Sequence, residues 1–127
     1  MCVFSKSSVA LLALFLGVAK AQTGTGTLFW FTPGVGACGF TNTTDQSVAS
    51  VSEEVFNNYP GATYNPNDNP ICHHNLTVTY NGTSVVAQIV DYYVSTPYNR
   101  VGLSESAFDV FAPSSQGIVP NVTWVVD

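Results

Sequence analysis

Val51-Ser52-Glu53-Glu54-Val55-Phe56 and Leu103-Ser104-Glu105-Ser106-Ala107-Phe108 carry one pattern, apolar-Ser-Glu-x-small-Phe, at an offset of 52 residues. Self-similarity at a fixed spacing bears on the whole fold, so it is weighed before any local signal. The copies run on alike into Asn57-Asn58-Tyr59-Pro60 and Asp109-Val110-Phe111-Ala112-Pro113. Each predicts a short helix: a Ser hydroxyl accepts free amide hydrogens of the first turn, Glu53, Glu54 and Glu105 sit at the positive end of the dipole, and a proline follows the last turn. Ser50 with Glu53 forms a competing capping box. Two unrelated capped helices would read the same way, so the alternative to duplication is coincidence.

Upstream, Lys6 precedes the apolar run Val9 to Val18, followed by the small-x-small step Ala19-Lys20-Ala21. Residues 1–21 therefore read as a secretory signal peptide, too short for a membrane anchor. Cleavage after Ala21 leaves 106 residues beginning at Gln22, so the repeat offset is close to half of what remains. Residues 22–127 are expected to form one small, pseudo-symmetric, extracellular domain, a monomer with no membrane partner. Within them Cys38 and Cys72 are the only cysteines, an even pair in an oxidising route, which reads as one disulfide.

The same segment holds a single strong cation, Arg100, against Asp45, Glu53, Glu54, Asp68, Asp91, Glu105, Asp109 and Asp127, a net charge of −7. Neutralising phosphates takes clustered Lys and Arg, so nucleic acid is excluded as a partner and a neutral ligand is favoured. Asn42-Thr43-Thr44, Asn75-Leu76-Thr77, Asn81-Gly82-Thr83 and Asn121-Val122-Thr123 are acceptor sequons for N-glycosylation.

Local patterns are mostly β. Thr25 to Thr32 is a Thr-rich aromatic strand that stops at Pro33-Gly34-Val35-Gly36; Leu76 to Tyr80 and Ser84 to Val90 flank Asn81-Gly82, a type I′ hairpin; and Asn121 to Val126 sets Val122, Trp124 and Val126 on one face. Tyr59 to Pro70, with its prolines and asparagines, reads as an irregular surface loop pinned at Cys72. Short strands, two short helices and a half-length repeat point to a small closed barrel, because closure removes exposed sheet edges.

Pro33-Gly34-Val35-Gly36-Ala37-Cys38-Gly39, Tyr59-Pro60-Gly61-Ala62-Thr63, Asn69-Pro70-Ile71-Cys72, Val85 to Asp91 and Leu103 to Phe108 closely resemble, in order and spacing, the fungal secreted proteins with an RlpA-like, barwin-like double-psi β-barrel. The resemblance implies a mainly β fold: a six-stranded barrel of two interlocked psi motifs about a pseudo-twofold axis, with two short helices and the Cys38–Cys72 bridge. Relatives on this barrel include expansins and loosenins, endoglucanases, lytic transglycosylases, barwins and a papain-inhibiting member, so fold alone does not assign function.

Expansin-like members use a groove with a Thr on the first strand and two aspartates. Thr27 is similar to the first and Asp91 to the second. The third is expected in a Leu-Asp-Leu-Ser type motif, where this chain reads Val101-Gly102-Leu103-Ser104. A second bridge found in many fungal members is lacking, its positions being Tyr93 and Thr96. Glycosidic cleavage generally needs two carboxylates with separate roles. With Gly102 in place of one, hydrolysis is disfavoured, and Asp91 would be the catalytic residue if there were any, with Asp45 a weak candidate partner.

The candidate carbohydrate-binding set is Thr27, Trp30, Asp91, Tyr92 and Tyr93, within the aromatic load of Phe29, Trp30, Phe31, Tyr92, Tyr93 and Tyr98. Aromatic faces pack on sugar C–H faces, yet strand aromatics also fill barrels, and alternation turns about half of residues 27–31 inward. His73-His74 read as ordinary exposed histidines, since neighbours on a strand point to opposite faces and cannot share an ion; no metal or cofactor is expected. The leading expectation is an expansin- or loosenin-like protein that binds cell-wall polysaccharide, cellulose or chitin, without hydrolysis. The alternative is a secreted protease inhibitor or effector of the papain-inhibitor type, presenting Tyr59–Pro70 or Asp91–Arg100 to a protease cleft, and a weaker one is a residual glycan-cleaving enzyme.

Overall fold

A computed structural model describes residues 22–127; the expected signal peptide lies outside them. Six strands, β1 (Gln22–Phe31), β2 (Val48–Ser52), β3 (Asn75–Tyr80), β4 (Thr83–Tyr93), β5 (Val101–Ser104) and β6 (Ile118–Val126), close into a barrel in the order β1-β5-β2-β4-β3-β6. Helix α1 (Glu53–Asn57) follows β2, and α2 (Glu105–Phe108) follows β5. The expected architecture is therefore present: mainly β, closed, with two short helices and a Cys38–Cys72 disulfide.

The pairings carry the repeat. β1 runs parallel to β5 and antiparallel to β6; β4 runs parallel to β2 and antiparallel to β3; β2 and β5, and β3 and β6, pair antiparallel with each other. Exchanging β1 with β4, β2 with β5 and β3 with β6 reproduces every contact in the ring. The duplicated motif is thus a pseudo-twofold axis, and Ser50, which pairs directly with Gly102 in the other half, marks where it passes. Phe56 and Phe108, the last residues of the two motif copies, are both fully buried.

The interior is filled by the alternate positions of each strand: Leu28, Ala49, Val51, Leu76, Val78, Ala87, Ile89, Val101, Leu103, Val122, Trp124 and Val126. Val122, Trp124 and Val126 share the inner face as the alternation predicts. Gly24 lets the Trp124 indole lie flat, since a Cβ there would stand 2.4 Å from the ring. The Asn81-Gly82 turn has both residues at positive φ, 51° and 77°, as a type I′ hairpin requires.

Three details differ from the sequence expectation. Ser52 caps α1, its Oγ accepting from Val55 N at 3.1 Å, which sets aside the Ser50 capping box; Ser50 lies within β2. Ser104 makes no matching cap, because its hydroxyl donates to Gln46 O and accepts from Val48 N where the chain enters β2. The Tyr59–Pro70 stretch is not wholly irregular: Asn65 and Asn69 accept hydrogen bonds two residues ahead and start short 3₁₀ turns at Pro66–Asp68 and Pro70–His73. His73 ends the second turn, and His74 Nδ1 lies 3.0 Å from the Asp127 carboxylate.

The disulfide closes a loop of 34 residues. In the chain-entropy view such a closure stabilises by about 4 kcal/mol, so a Cys38→Ser, Cys72→Ser variant should lose roughly that in a urea titration. Asp127 ties β6 to the start of β3: its Oδ1 accepts from Asn75 N at 2.9 Å, and this bond above all, helped by the His74 contact, holds its carboxyl below the ordinary value of 3.8 against the opposing effect of burial. A depressed carboxylate contributes stability above its unfolded pKa that is lost as pH falls through the folded value. The urea midpoint should therefore drop below about pH 4, and Asp127→Asn should flatten that part of the profile, modestly because the group is largely exposed.

Candidate functional site

Four strands, β1, β5, β2 and β4, present one continuous outer face. Register places Phe29, Gly102, Ser50 and Asp91 side by side across it. Val101, Leu103, Ala49 and Val51, the intervening positions on the two central strands, are buried in the core. The alternate positions there are Gly102, Ser104, Val48, Ser50 and Ser52, small but for Val48 and all buried, so the floor lies beneath its neighbours' side chains. Phe29 and Phe31 border it from β1, Asp91 and Tyr93 from β4.

Gly102, where the resemblance expects a carboxylate, is covered by its neighbours. A Cβ there would stand 2.6 Å from Phe29 Cε2 and 3.2 Å from Phe31 Cδ1. The Phe29 ring in turn meets Tyr93 edge-on, centroids 5.4 Å apart. Tyr93 Oη lies 2.8 Å from Arg100 O and 3.0 Å from Pro97 O, its one hydrogen shared between the two carbonyls, and partial burial, partly offset by Arg100, pushes its phenol up from the ordinary value. It is a neutral group that fastens the 94–100 loop to the groove wall.

Asp91 is also engaged. One oxygen, Oδ1, accepts from Ala37 N at 3.0 Å and from Tyr92 N at 2.8 Å. The carboxylate thereby holds the Pro33–Phe40 loop, which is braced throughout: Cys38 N donates to Val90 O at 3.1 Å, Gly39 N to Gly36 O at 2.9 Å and Asn42 N to Gly34 O at 3.0 Å, Val35 bridges Thr41, and Cys38 is bonded to Cys72. Gly36 has to be glycine, since a Cβ would lie 2.4 Å from Val90 O. From this frame Val35 projects with 75% of its surface exposed and Phe40 with 37%.

The five candidate ligand residues are thus not brought together. Asp91 and Tyr93 lie on the outer face, and Thr27, next to buried Leu28, sits at the register shift between β1 and β6. Trp30 turns inward, packs against the core and donates through Nε1 to Ser114 O at 2.9 Å. Tyr92 packs its ring on Phe56, centroids 4.9 Å apart, and lines a separate depression with Asn57, Thr63 and Tyr64. Phe29 is the outward aromatic that the candidate set leaves out: alternation from Leu28 marks it as outward, but nothing local in the sequence says that it leans over Gly102. Asp45 sits in the exposed loop before β2, where the Thr43 hydroxyl holds its carboxyl below the ordinary range.

The chain is 30% identical over 106 residues to the papain inhibitor of Streptomyces mobaraensis, a match spanning 81% of this chain and 71% of that protein. The chain belongs to the papain inhibitor family. The solved Streptomyces papain inhibitor superposes with a TM-score of 0.73 at 30% identity, covering 83% of this chain and 94% of that one. An expansin from Clavibacter michiganensis, solved free and, as a mutant, in complex with cellohexaose, shares the fold with a TM-score of 0.64 at 23% identity, over 84% of this chain and 50% of the expansin. No family model matches the chain.

Filling the space beside Gly102 should cost stability through Phe29 specifically. Gly102→Ala is expected to destabilise by about 1–3 kcal/mol, and by less in a Phe29→Ala background, where the ring no longer occupies the site. A double-mutant cycle from urea unfolding measures the coupling.

Proposed function

We propose that this protein is a secreted, monomeric inhibitor of papain-like cysteine proteases, with the Pro33–Phe40 loop as the element that enters the protease cleft. The observation that carries the reading is the loop itself: exposed apolar Val35 and Phe40 on backbone fixed by a disulfide, by Asp91 and by the Val90 carbonyl. A segment already held in one conformation loses little entropy when it docks, so more of its contact energy appears as affinity. Family membership alongside a papain inhibitor supports the same reading. Tyr64, fully exposed in the Tyr59–Pro70 stretch within the loop that the same disulfide closes, offers a second apolar contact.

A second reading, polysaccharide binding on the β1–β4 face, is favoured by the half-buried Phe29–Tyr93 ring pair at the covered central strands. It would use these two rings with Thr27 and Asp91, on cellulose or chitin.

Titration against papain should give inhibition at micromolar concentration or below. Val35→Asp with Phe40→Asp should weaken it at least tenfold without lowering the melting temperature, about 1.4 kcal/mol or more of binding energy. Unchanged inhibition by that variant would assign the contact elsewhere. If wild type leaves papain untouched but sediments with cellulose or chitin, and Phe29→Ala with Tyr93→Ala stays in solution, the second reading replaces the first.

A further inference from the structure

The barrel face opposite the groove has a composition that needs explaining. Across β1, β6, β3 and the first part of β4, the outward residues form two registered rows: Thr25, Thr123, Thr79 and Ser84 in one, Thr23, Val125, Thr77 and Val86 in the other. Strand neighbours in such rows stand about 4.8 Å apart. None of residues 22–31, 75–80, 83–90 or 118–126 is Asp, Glu, Lys, Arg or His; the eight carboxylates and Arg100 all lie elsewhere. Val86 is 56% exposed and Val125 41%. An uncharged, partly apolar sheet face of this extent normally invites association, which soluble proteins counter with charge.

Two sequons rise beside this face at one end of the barrel. Asn81 is the tip of the β3–β4 hairpin, and Asn121 sits at a bulge in β6, where β6 uses three steps from Val119 to Val122 against two from Leu28 to Gly26. Both asparagines are exposed, and they are the only non-glycine residues at positive φ among the described residues, 51° and 61°. Thr79 pairs with Thr123, so the same β3–β6 register continued by two residues sets Asn81 opposite Asn121. Their sequon hydroxyls, Thr83 and Thr123, are exposed as well. Asn42 differs: its Oδ1 is buried with no hydrogen-bond partner, and its Nδ2, the atom a glycan would occupy, donates to Gln46 Oε1 at 3.1 Å.

We infer that Asn81 and Asn121 carry N-linked glycans that together cover the Thr/Val face, and that Asn42 is left unmodified. The sugars supply the hydration that charge supplies on other sheets, and they leave the Pro33–Phe40 loop and the Phe29–Tyr93 groove open on the other side. This inference does not rest on the inhibitor reading.

The test is secretion of the full chain from a eukaryotic host, with residues 22–127 behind the host's own leader in parallel, so that failed export is not mistaken for failed glycosylation. Peptide mass spectrometry with and without PNGase F should find glycan on Asn81 and Asn121 and none on Asn42. Thr83→Ala with Thr123→Ala keeps both asparagines, should lower the intact mass by two glycans, and should sediment as larger species at concentrations where the glycosylated protein is monomeric. Secreted protein bare at either Asn81 or Asn121, or occupied at Asn42, overturns the assignment. A double variant that stays monomeric overturns the shielding role.

Discussion

β2 and β5 are buried on both faces along their whole length, and their direct pairing at Ser50 and Gly102 joins the two halves of the barrel. A strand with no solvent face has to satisfy two packings at once, an aliphatic interior on one side and close cover on the other. Inward go Ala49, Val51, Val101 and Leu103; the alternate positions are Val48, Ser50, Ser52, Gly102 and Ser104, small but for Val48. The small outward residues make the face shallow, and the shallow face lets Phe29, Phe31 and Tyr93 lean across it. The groove therefore follows from the central strands as much as from the residues that line it.

The pseudo-twofold axis relates the halves in backbone but not in chemistry. Under the exchange of β1 with β4, Phe29 takes the place of Asp91 and Trp30 that of Tyr92, as their pairings with Gly102, Ser50, Leu103 and Val51 show. The half with the carboxylate uses it to accept two backbone N–H groups and brace a disulfide-linked loop; the half with the phenyl ring uses it to cover a glycine. A backbone N–H taken out of water needs an acceptor, and a side chain-free backbone needs a covering group. Each half meets one of these demands, so one barrel carries a rigid loop at one side of its groove and an aromatic wall at the other.

Ser52 and Ser104 show the same divergence at smaller scale. Both end a buried strand and precede a short helix, but only Ser52 caps its helix; Ser104 is drawn to the carbonyl of Gln46 and the amide of Val48. The motif was legible because helix starts are local. Its second use was not, because the competing partners come from a segment more than fifty residues away.

The sequence by itself determined the half-length repeat, the strands and their alternation, the hairpin at Asn81-Gly82, the single cysteine pair and the acidic surface, since each depends on neighbours in the chain or on composition. Tertiary structure decided which aromatics serve the surface: Phe29 out, Trp30 in, Tyr92 against Phe56, Tyr93 across to Phe29. It also decided that Asp91 Oδ1 is taken by Ala37 and Tyr92 and that two sequons share a barrel end while a third is tied down. Period-two alternation names two faces without saying what lies over either one. That depends on barrel closure, which sets side by side strands that the chain keeps far apart.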